Sequence, residues 1–96
     1  MNMDDVHVGE PHFVQVVEVE FSEDVTEFPV EHDGTILLTT LQAQFPASVS
    51  LKYRNPSGKA WRAVRFADGK LHAPLGGWGD AIYMLTVKAG NLLRVI

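Results

Sequence analysis

One amphipathic helix is the feature that most limits how this chain can fold. Across residues 35–45 the apolar side chains recur at three- and four-residue spacing: Leu37, Leu38, Leu41 and Phe45. This spacing predicts a helix with one apolar face. Asp33 or Thr35 can cap its start, and Pro46 ends it. The rest of the chain must supply a surface that covers the apolar face.

Segments with the pattern of short strands flank this helix on both sides. Residues 13–21 interleave Val with Glu over their second half, which predicts a strand with one wet face. Val14 and Val16 fall on the glutamate side of that pattern, and either a bulge or an end-of-strand contact accounts for this. Residues 27–30 form a second extended segment, in which Pro29 favours the edge of a sheet.

The half of the chain that follows the helix reads as strands joined by turns. Residues 49–54 alternate, and the turn at residues 55–58 leads into a strand at residues 60–66. Asp68-Gly69 is another hairpin signal. Further strands are predicted at residues 71–73, 81–87 and 92–96. The apolar segment 81–87 is expected to be buried on both faces.

These elements predict an α+β fold with one helix packed on a mixed sheet of about five to seven short strands. A roll of the ubiquitin kind is the economical way to arrange them. The chain of 96 residues contains no linker or repeat, which predicts one domain over residues 13–96. Residues 1–12 are acidic and polar, and we expect a flexible tail there.

Charge is divided between the two halves of the sequence. Up to Leu51 there are ten carboxylates and no Lys or Arg, whereas from Lys52 onward there are eight bases and two carboxylates. If one folded domain displays these halves on different faces, copies of it attract one another head to tail. The count alone therefore suggests self-association.

Sites for chemistry find little support in the sequence. The chain has no Cys, and its four His residues lack the paired spacing of zinc ligands. The glycines around Trp78 are not followed by Lys-Ser or Lys-Thr, so we interpret them as a tight loop that Trp78 anchors on the core. We predict no enzyme, metal site or cofactor, no small-molecule substrate and no membrane segment.

A basic segment at residues 52–66 offers one alternative function. It interleaves aromatic residues with Lys and Arg, as a platform for single-stranded nucleic acid does. The candidate contacts are Lys52, Arg54 and Lys59, with Trp61 available for stacking. Alternation nevertheless puts Tyr53 opposite Lys52 and Arg54, which leaves open that the aromatic residues belong to the core. The overall acidity of the chain also opposes binding to phosphate.

Several short peptides, in this order and spacing, resemble a known family. They are DGTILL at 33–38, AQFP at 43–46, LKYRNP at 51–56, LHAP at 71–74 and GWG at 77–79. Over about residues 14–87 the chain is similar to the N-terminal domain of the TAR DNA-binding protein family, nuclear RNA-binding proteins with two RNA-recognition domains.

The resemblance implies a ubiquitin-like, DIX-like domain that self-associates head to tail and is not catalytic. RNA would be bound by domains absent from this chain, and clustering those domains would support splicing in the nucleus. The matching positions imply an acidic face made of Asp24, Glu27 and Glu31. They imply a basic face made of Arg62 and Arg65, with Gln44 nearby. Leu38 and Trp61 are candidates for apolar contact beside these charges.

Two departures from the family bear on regulation and on the interface. Gly58 stands where the family has a serine whose phosphorylation breaks the contact, although the neighbouring Ser57 could replace it. Trp61 replaces a smaller residue beside the basic face. The alternatives to self-association are weak nucleic-acid binding through residues 52–66 and a monomeric adaptor of the ubiquitin kind.

Overall fold

The structure, a computed structural model, describes residues 12–88. Its elements in chain order are β1 (Phe13–Val17), β2 (Thr26–Pro29), β3 (Ile36–Leu37), α1 (Leu38–Gln44), β4 (Ser48–Arg54), β5 (Trp61–Ala63), β6 (Arg65–Ala67), β7 (Lys70–His72) and β8 (Ile82–Val87). The prediction of an α+β fold with one helix on a mixed sheet is confirmed for the described residues. Their strands number eight, slightly more than expected.

Five strands form a large sheet in the order β2-β1-β8-β4-β5. β1 runs parallel to β8, and the other neighbouring pairs are antiparallel. β2 and β5 are the edges. Pro29 ends the edge strand β2, as predicted, because proline has no N–H to donate to a second neighbour.

The remaining three strands form a small antiparallel sheet in the order β3-β7-β6. Asp68 and Gly69 connect β6 to β7 with φ angles of 56° and 75°. Positive φ at both central residues is what a type I′ hairpin requires, so the hairpin signal in the sequence is confirmed.

The large sheet has two faces of different character. The side chains on its core face are Val14, Val16, Phe28, Leu51, Tyr53, Tyr83 and Leu85. The helix and the small sheet cover this face with Leu41, Ile36 and Leu71, all fully buried. By alternation the other face, called the far face below, carries Gln15, Val17, Glu27, Lys52, Arg54, Trp61, Ile82 and Met84.

The first strand is shorter than predicted, and its phase is reversed. β1 ends at Val17. Val14 and Val16 face the core, where Val14 pairs with Phe28 on β2 and Val16 pairs with Tyr83 on β8. Residues 18–21 leave the sheet in a turn instead of extending the strand. The Glu-Val alternation there belongs to a loop, so the expected continuation to residue 21 is wrong.

The helix also begins later than predicted, at Leu38 instead of residue 35. Ile36 and Leu37 pair with β7, which holds them extended. No side chain caps the helix, so the expected cap at Asp33 or Thr35 is wrong. The Asp33 Oδ1 atom instead accepts hydrogen bonds from the Thr35 N–H at 3.1 Å and from Thr35 Oγ1 at 2.6 Å.

Two later strands differ from the prediction because of their place in the sheets. The predicted strand at residues 60–66 divides at the buried Val64, where the chain passes from the large sheet to the small one. β8 lies between β1 and β4, yet Ile82 is 51% exposed, so burial on both faces is wrong at that end. The predicted strand 92–96 and most of the 1–12 tail lie outside the described residues.

Trp78 joins the glycine-containing loop to the core, as the sequence predicts. The Trp78 ring is buried and its Nε1 donates to the Gly34 carbonyl at 2.9 Å. The Tyr83 hydroxyl donates to the Trp78 carbonyl at 2.8 Å, and the two rings meet edge to face with centroids 5.3 Å apart. Burial raises the pKa of Tyr83 to about 12, so this hydroxyl remains a donor throughout the neutral range.

Replacing Tyr83 with Phe should lower the free energy of unfolding by about 1–3 kcal/mol, because a buried carbonyl loses its donor. Urea unfolding followed by circular dichroism measures this difference. Tyr53→Phe is the matched control, since the described residues offer its hydroxyl no partner, and its effect should stay within about 0.5 kcal/mol. Equal losses in the two variants would contradict the assigned hydrogen bond.

Asp33 and Lys70 join the turn before β3 to the small sheet. Lys70 Nζ lies 2.8 Å from Asp33 Oδ2, and this bond, together with those from Thr35, holds the pKa of Asp33 well below its usual range. A carboxylate with a depressed pKa stabilises the fold above its unfolded pKa of about 4, and this contribution disappears as the pH falls through the folded pKa.

Asp33→Asn should therefore lower the melting temperature at pH 7, with a difference that narrows as the pH falls below about 4. Melting curves of both chains from pH 7 to pH 2.5 test this. The effect is modest because both groups are exposed. A difference that is unchanged at the lowest pH would show that Asp33 acts without its charge.

Candidate functional site

The three predicted acidic residues lie along one edge of the large sheet. Glu27 is on the edge strand β2, while Asp24 precedes this strand and Glu31 follows it. All three side chains are exposed. The Glu31 N–H donates to the Thr35 carbonyl at 2.7 Å, which fixes the backbone beyond the strand. We call Asp24, Glu27 and Glu31 the acidic edge.

The two predicted arginines lie at the opposite edge. Arg62 is the central residue of β5, where it pairs across the sheet with Tyr53. Arg65 begins β6, just after the chain leaves the large sheet at Val64. Both side chains are exposed. We call Arg62 and Arg65 the basic edge.

Gln44, the third residue expected on the basic face, lies elsewhere. It is exposed at the last position of the helix and borders a shallow pocket with Glu18, Leu85 and Val87. Arg62, in contrast, lies beside the far end of β4. A part for Gln44 in self-association stays a prediction, and it would require a partner that also reaches the helix.

The sheet order separates the two edges widely. Three strands lie between β2 and β5, so four interstrand spacings give a distance of about 19 Å across the sheet. Glu27 and Arg62 are thus displayed at opposite edges of one sheet, whereas the Glu20–Arg54 and Asp33–Lys70 ion pairs join the acidic and basic halves elsewhere. One copy offers its neighbours surfaces of opposite sign that its own geometry keeps apart.

The basic residues considered for nucleic acid gather on the far face around Trp61. The Arg54 guanidinium lies 4.2 Å from the centroid of the Trp61 ring, and Lys52 Nζ lies 5.1 Å from it. Alternation does separate Tyr53 from these cations, as predicted, but Trp61 is on their side of the sheet. The alternative that the aromatic residues belong to the core therefore holds for Tyr53 but not for Trp61.

Arg54 is also bonded to two other parts of the chain. Its guanidinium forms an ion pair with Glu20 at 2.9 Å and donates to the carbonyl of Lys59 in the β4–β5 turn. The loop between β1 and β2 therefore reaches across the far face to β4. An acidic group already occupies this guanidinium, and Arg54 covers part of the Trp61 ring, which disfavours the stacking of a base there.

The two apolar candidates occupy different environments. Leu38 is half-buried and packs against the core at the start of the helix. Trp61 is half-buried on the far face beneath its two cations. Trp61, unlike Leu38, lies on the face of the sheet that the helix does not cover. Their participation in an interface stays a prediction.

Sequence reasoning missed Glu20 as a partner of Arg54, since 34 residues separate them. The residue types gave a signal, because Glu20 is acidic and Arg54 basic, but pairing over that distance depends on strand order. It also missed that Phe21 and Ile82 are exposed beside this contact. The sequence predicted Phe21 in a longer β1 and Ile82 in a strand buried on both faces, whereas Phe21 lies in a turn and Ile82 is exposed.

Within residues 12–88, no group of three or more His, Asp or Glu side chains is arranged to hold a metal ion. In the same residues no helix is long and apolar enough to cross a membrane.

Arg54→Lys tests the cluster around Trp61. Lysine keeps the charge but cannot bridge Glu20, Lys59 and the indole ring at once. We expect faster acrylamide quenching of tryptophan fluorescence, reporting on Trp61 because Trp78 is buried, and a stability change within about 1 kcal/mol. Arg62→Lys is the control at the same edge of the sheet. Equal quenching in the two variants would argue against the cluster.

Comparison with known proteins agrees with the motifs in the sequence. The family model described as "TAR DNA-binding protein 43, N-terminal domain" matches residues 13–87. The Tar DNA-binding protein homolog 1 of Caenorhabditis elegans is 38% identical over 86 residues, which cover 88% of this chain and 20% of that protein. The chain thus spans about a fifth of the length of that relative. It belongs to the family of TAR DNA-binding protein 43 N-terminal domains.

Proposed function

We propose that this chain is a head-to-tail self-association module of an RNA-binding protein, in which the acidic edge of one copy binds the basic edge of the next. The observation that carries this proposal is the location of Glu27 and Arg62 on the two opposite edge strands of one sheet. A contact between different surfaces leaves one of each free at the ends, so it can continue into an open chain.

The charges also suit these positions for a second physical reason. An edge strand presents unpaired backbone groups, and charged side chains on it discourage indiscriminate pairing with other sheets. Glu27 on one edge and Arg62 on the other repel copies that approach like edge to like edge. They attract copies that approach acidic edge to basic edge, so the same residues favour one arrangement over its rivals.

Charge alone gives a weak contact. Exposed ion pairs contribute about 0.2–1 kcal/mol each and weaken with salt, so some apolar burial must add to them. Trp61, on the same edge strand as Arg62, and Leu38 at the start of the helix are the candidates for this contribution. Weak association is sufficient for this function because chaining raises the effective concentration of linked domains.

The output proposed for this association is the clustering of RNA-binding domains that lie outside this chain. The family and the nematode relative carry names that indicate nucleic-acid binding. We extend this to a nuclear protein of RNA processing and splicing. The module itself is proposed to act by valency alone, with no catalysis, cofactor or small-molecule substrate.

A mixture of two complementary variants tests the contact directly. Arg62→Glu reverses one charge of the basic edge and keeps the acidic edge intact, while Glu27→Lys reverses one charge of the acidic edge and keeps the basic edge intact. When ¹⁵N-labelled Arg62→Glu chain is titrated with unlabelled Glu27→Lys chain, we expect shifts of amide signals at residues 24–31. Titration with unlabelled Arg62→Glu chain is the control and should leave these signals unchanged.

Three results would count against the proposal. Shifts that are absent from both titrations would indicate the monomeric adaptor. Shifts confined to residues outside 24–31 would indicate a different interface. If Arg62→Glu weakens binding to a single-stranded oligonucleotide and leaves self-association intact, the basic residues serve nucleic acid instead.

A further inference from the structure

The far face of the large sheet contains an apolar groove, and Trp61 is the one residue of it that the proposed head-to-tail contact also involves. Val17, Phe21, Trp61, Ile82 and Met84 line it, and the Glu20–Arg54 ion pair lies at its rim. Its volume is about 190 Å³. A cavity of about 150 Å³ with apolar walls can hold a benzene ring, so this groove is large enough for one aromatic side chain.

An aromatic side chain is exposed next to this groove. Phe21 is 91% exposed, although it is among the most apolar residue types in the chain. Its φ angle of 66° places a bulky residue in the left-handed region, which residues other than glycine rarely adopt. Strain of this kind is retained where surrounding structure enforces it, and it often marks a functional position.

The exposed apolar side chains are concentrated on this part of the molecule. Among residues 12–88, five of the seven large apolar side chains that are exposed belong to β1, to the β1–β2 loop or to the start of β8. They are Phe13, Val19, Phe21, Val25 and Ile82. A concentration of this kind, with charges at its rim, is typical of an interaction surface.

We propose that the far face binds a second copy of this chain about a two-fold axis, with Phe21 of each copy seated in the groove of the other. The projecting ring and the groove are side by side on one face. A two-fold contact requires this arrangement, because each copy must supply both the inserted residue and its receptor.

Charge complementarity selects a second copy as the occupant. On the far face, β2 carries Glu27, whereas β4 carries Lys52, and the neighbouring Arg54 is already paired with Glu20 of its own chain. A two-fold axis that runs along the strands places the β2 side of one copy over the β5 side of the other. Opposite charges then face one another at both ends of the contact, which disfavours other orientations.

The Glu20–Arg54 ion pair holds the β1–β2 loop in position before the two copies meet. It fixes the residue that precedes Phe21 to β4, at a distance of 2.9 Å between Arg54 Nε and Glu20 Oε2. Little ordering of the loop is then required when the copies meet, and a loop held in its bound conformation favours affinity.

The two contacts can be separated by mutation, although Glu27 and Trp61 are candidates for both. Arg62 pairs with Tyr53 and points to the other side of the sheet, so the basic edge and the groove are different surfaces. The two-fold contact closes after two copies, whereas the head-to-tail contact stays open.

Sedimentation velocity of the 96-residue chain carrying Arg62→Glu and Arg65→Glu isolates this contact from the head-to-tail one. We expect a plateau at twice the monomer mass as the concentration rises. Adding Phe21→Ser should weaken the dimer on the order of 30-fold or more, as is typical for the loss of an aromatic anchor. Leu75→Ser, at a fully exposed leucine in another loop, is the matched control and should leave the dimer intact.

Disulfide trapping gives a second measurement that does not depend on affinity, because the chain has no Cys of its own. Phe21→Cys mixed with Ile82→Cys should give the mixed disulfide readily under mild oxidation. Leu75→Cys mixed with Ile82→Cys should give little.

A monomer at every concentration, or equal losses with Phe21→Ser and Leu75→Ser, would overturn the proposal. A single-stranded oligo-dT that quenches Trp61 fluorescence while the chain remains monomeric would also overturn it, in favour of a base as the occupant. If the head-to-tail proposal alone is wrong, the Arg62/Arg65 background still dimerises and still responds to Phe21→Ser.

Discussion

The insertion of β8 between β1 and β4 is the constraint on which the rest of the structure depends. β8 pairs in parallel with β1 and antiparallel with β4. It thereby joins an acidic N-terminal hairpin and a basic hairpin into one sheet, with their outer strands β2 and β5 as its two edges. Glu27 and Arg62, which belong to the acidic and basic halves of the sequence, are thereby separated in space. Tyr83, on this strand, also holds the Trp78 loop against the core.

The same sheet explains why self-association and not catalysis is the function we propose. Its core face is filled, and its two edges carry exposed charges. Edges with exposed charges bind surfaces that carry the opposite charge. Several weak contacts per molecule then produce a strong response to concentration and to salt, without any one contact being strong. The far face adds an apolar surface, and the two-fold contact proposed for it joins two copies and no more.

The sequence was a good guide where a local physical rule decides the structure. Pro29 lacks a donor and therefore lies at an edge, and Asp68-Gly69 accepts positive φ and therefore forms a hairpin. It failed where partners distant in sequence decide. Val14 and Val16 face inward because β2 and β8 flank β1, and Ile36 is held extended by β7, so the helix starts later. The candidate charges could be named from the sequence, but their separation depended on strand order. The exposure of Phe21 depended on the turn that follows β1.

The central claim is that opposite edges of one sheet join copies into open chains. Sedimentation velocity of the unmodified chain over a wide range of concentrations, at low and high salt, tests it most directly. The account predicts a sedimentation coefficient that keeps rising with concentration and falls back when salt is added, because exposed charge pairs are screened. A plateau at twice the monomer mass would leave only a closed contact, and a constant monomer under all conditions would contradict self-association altogether.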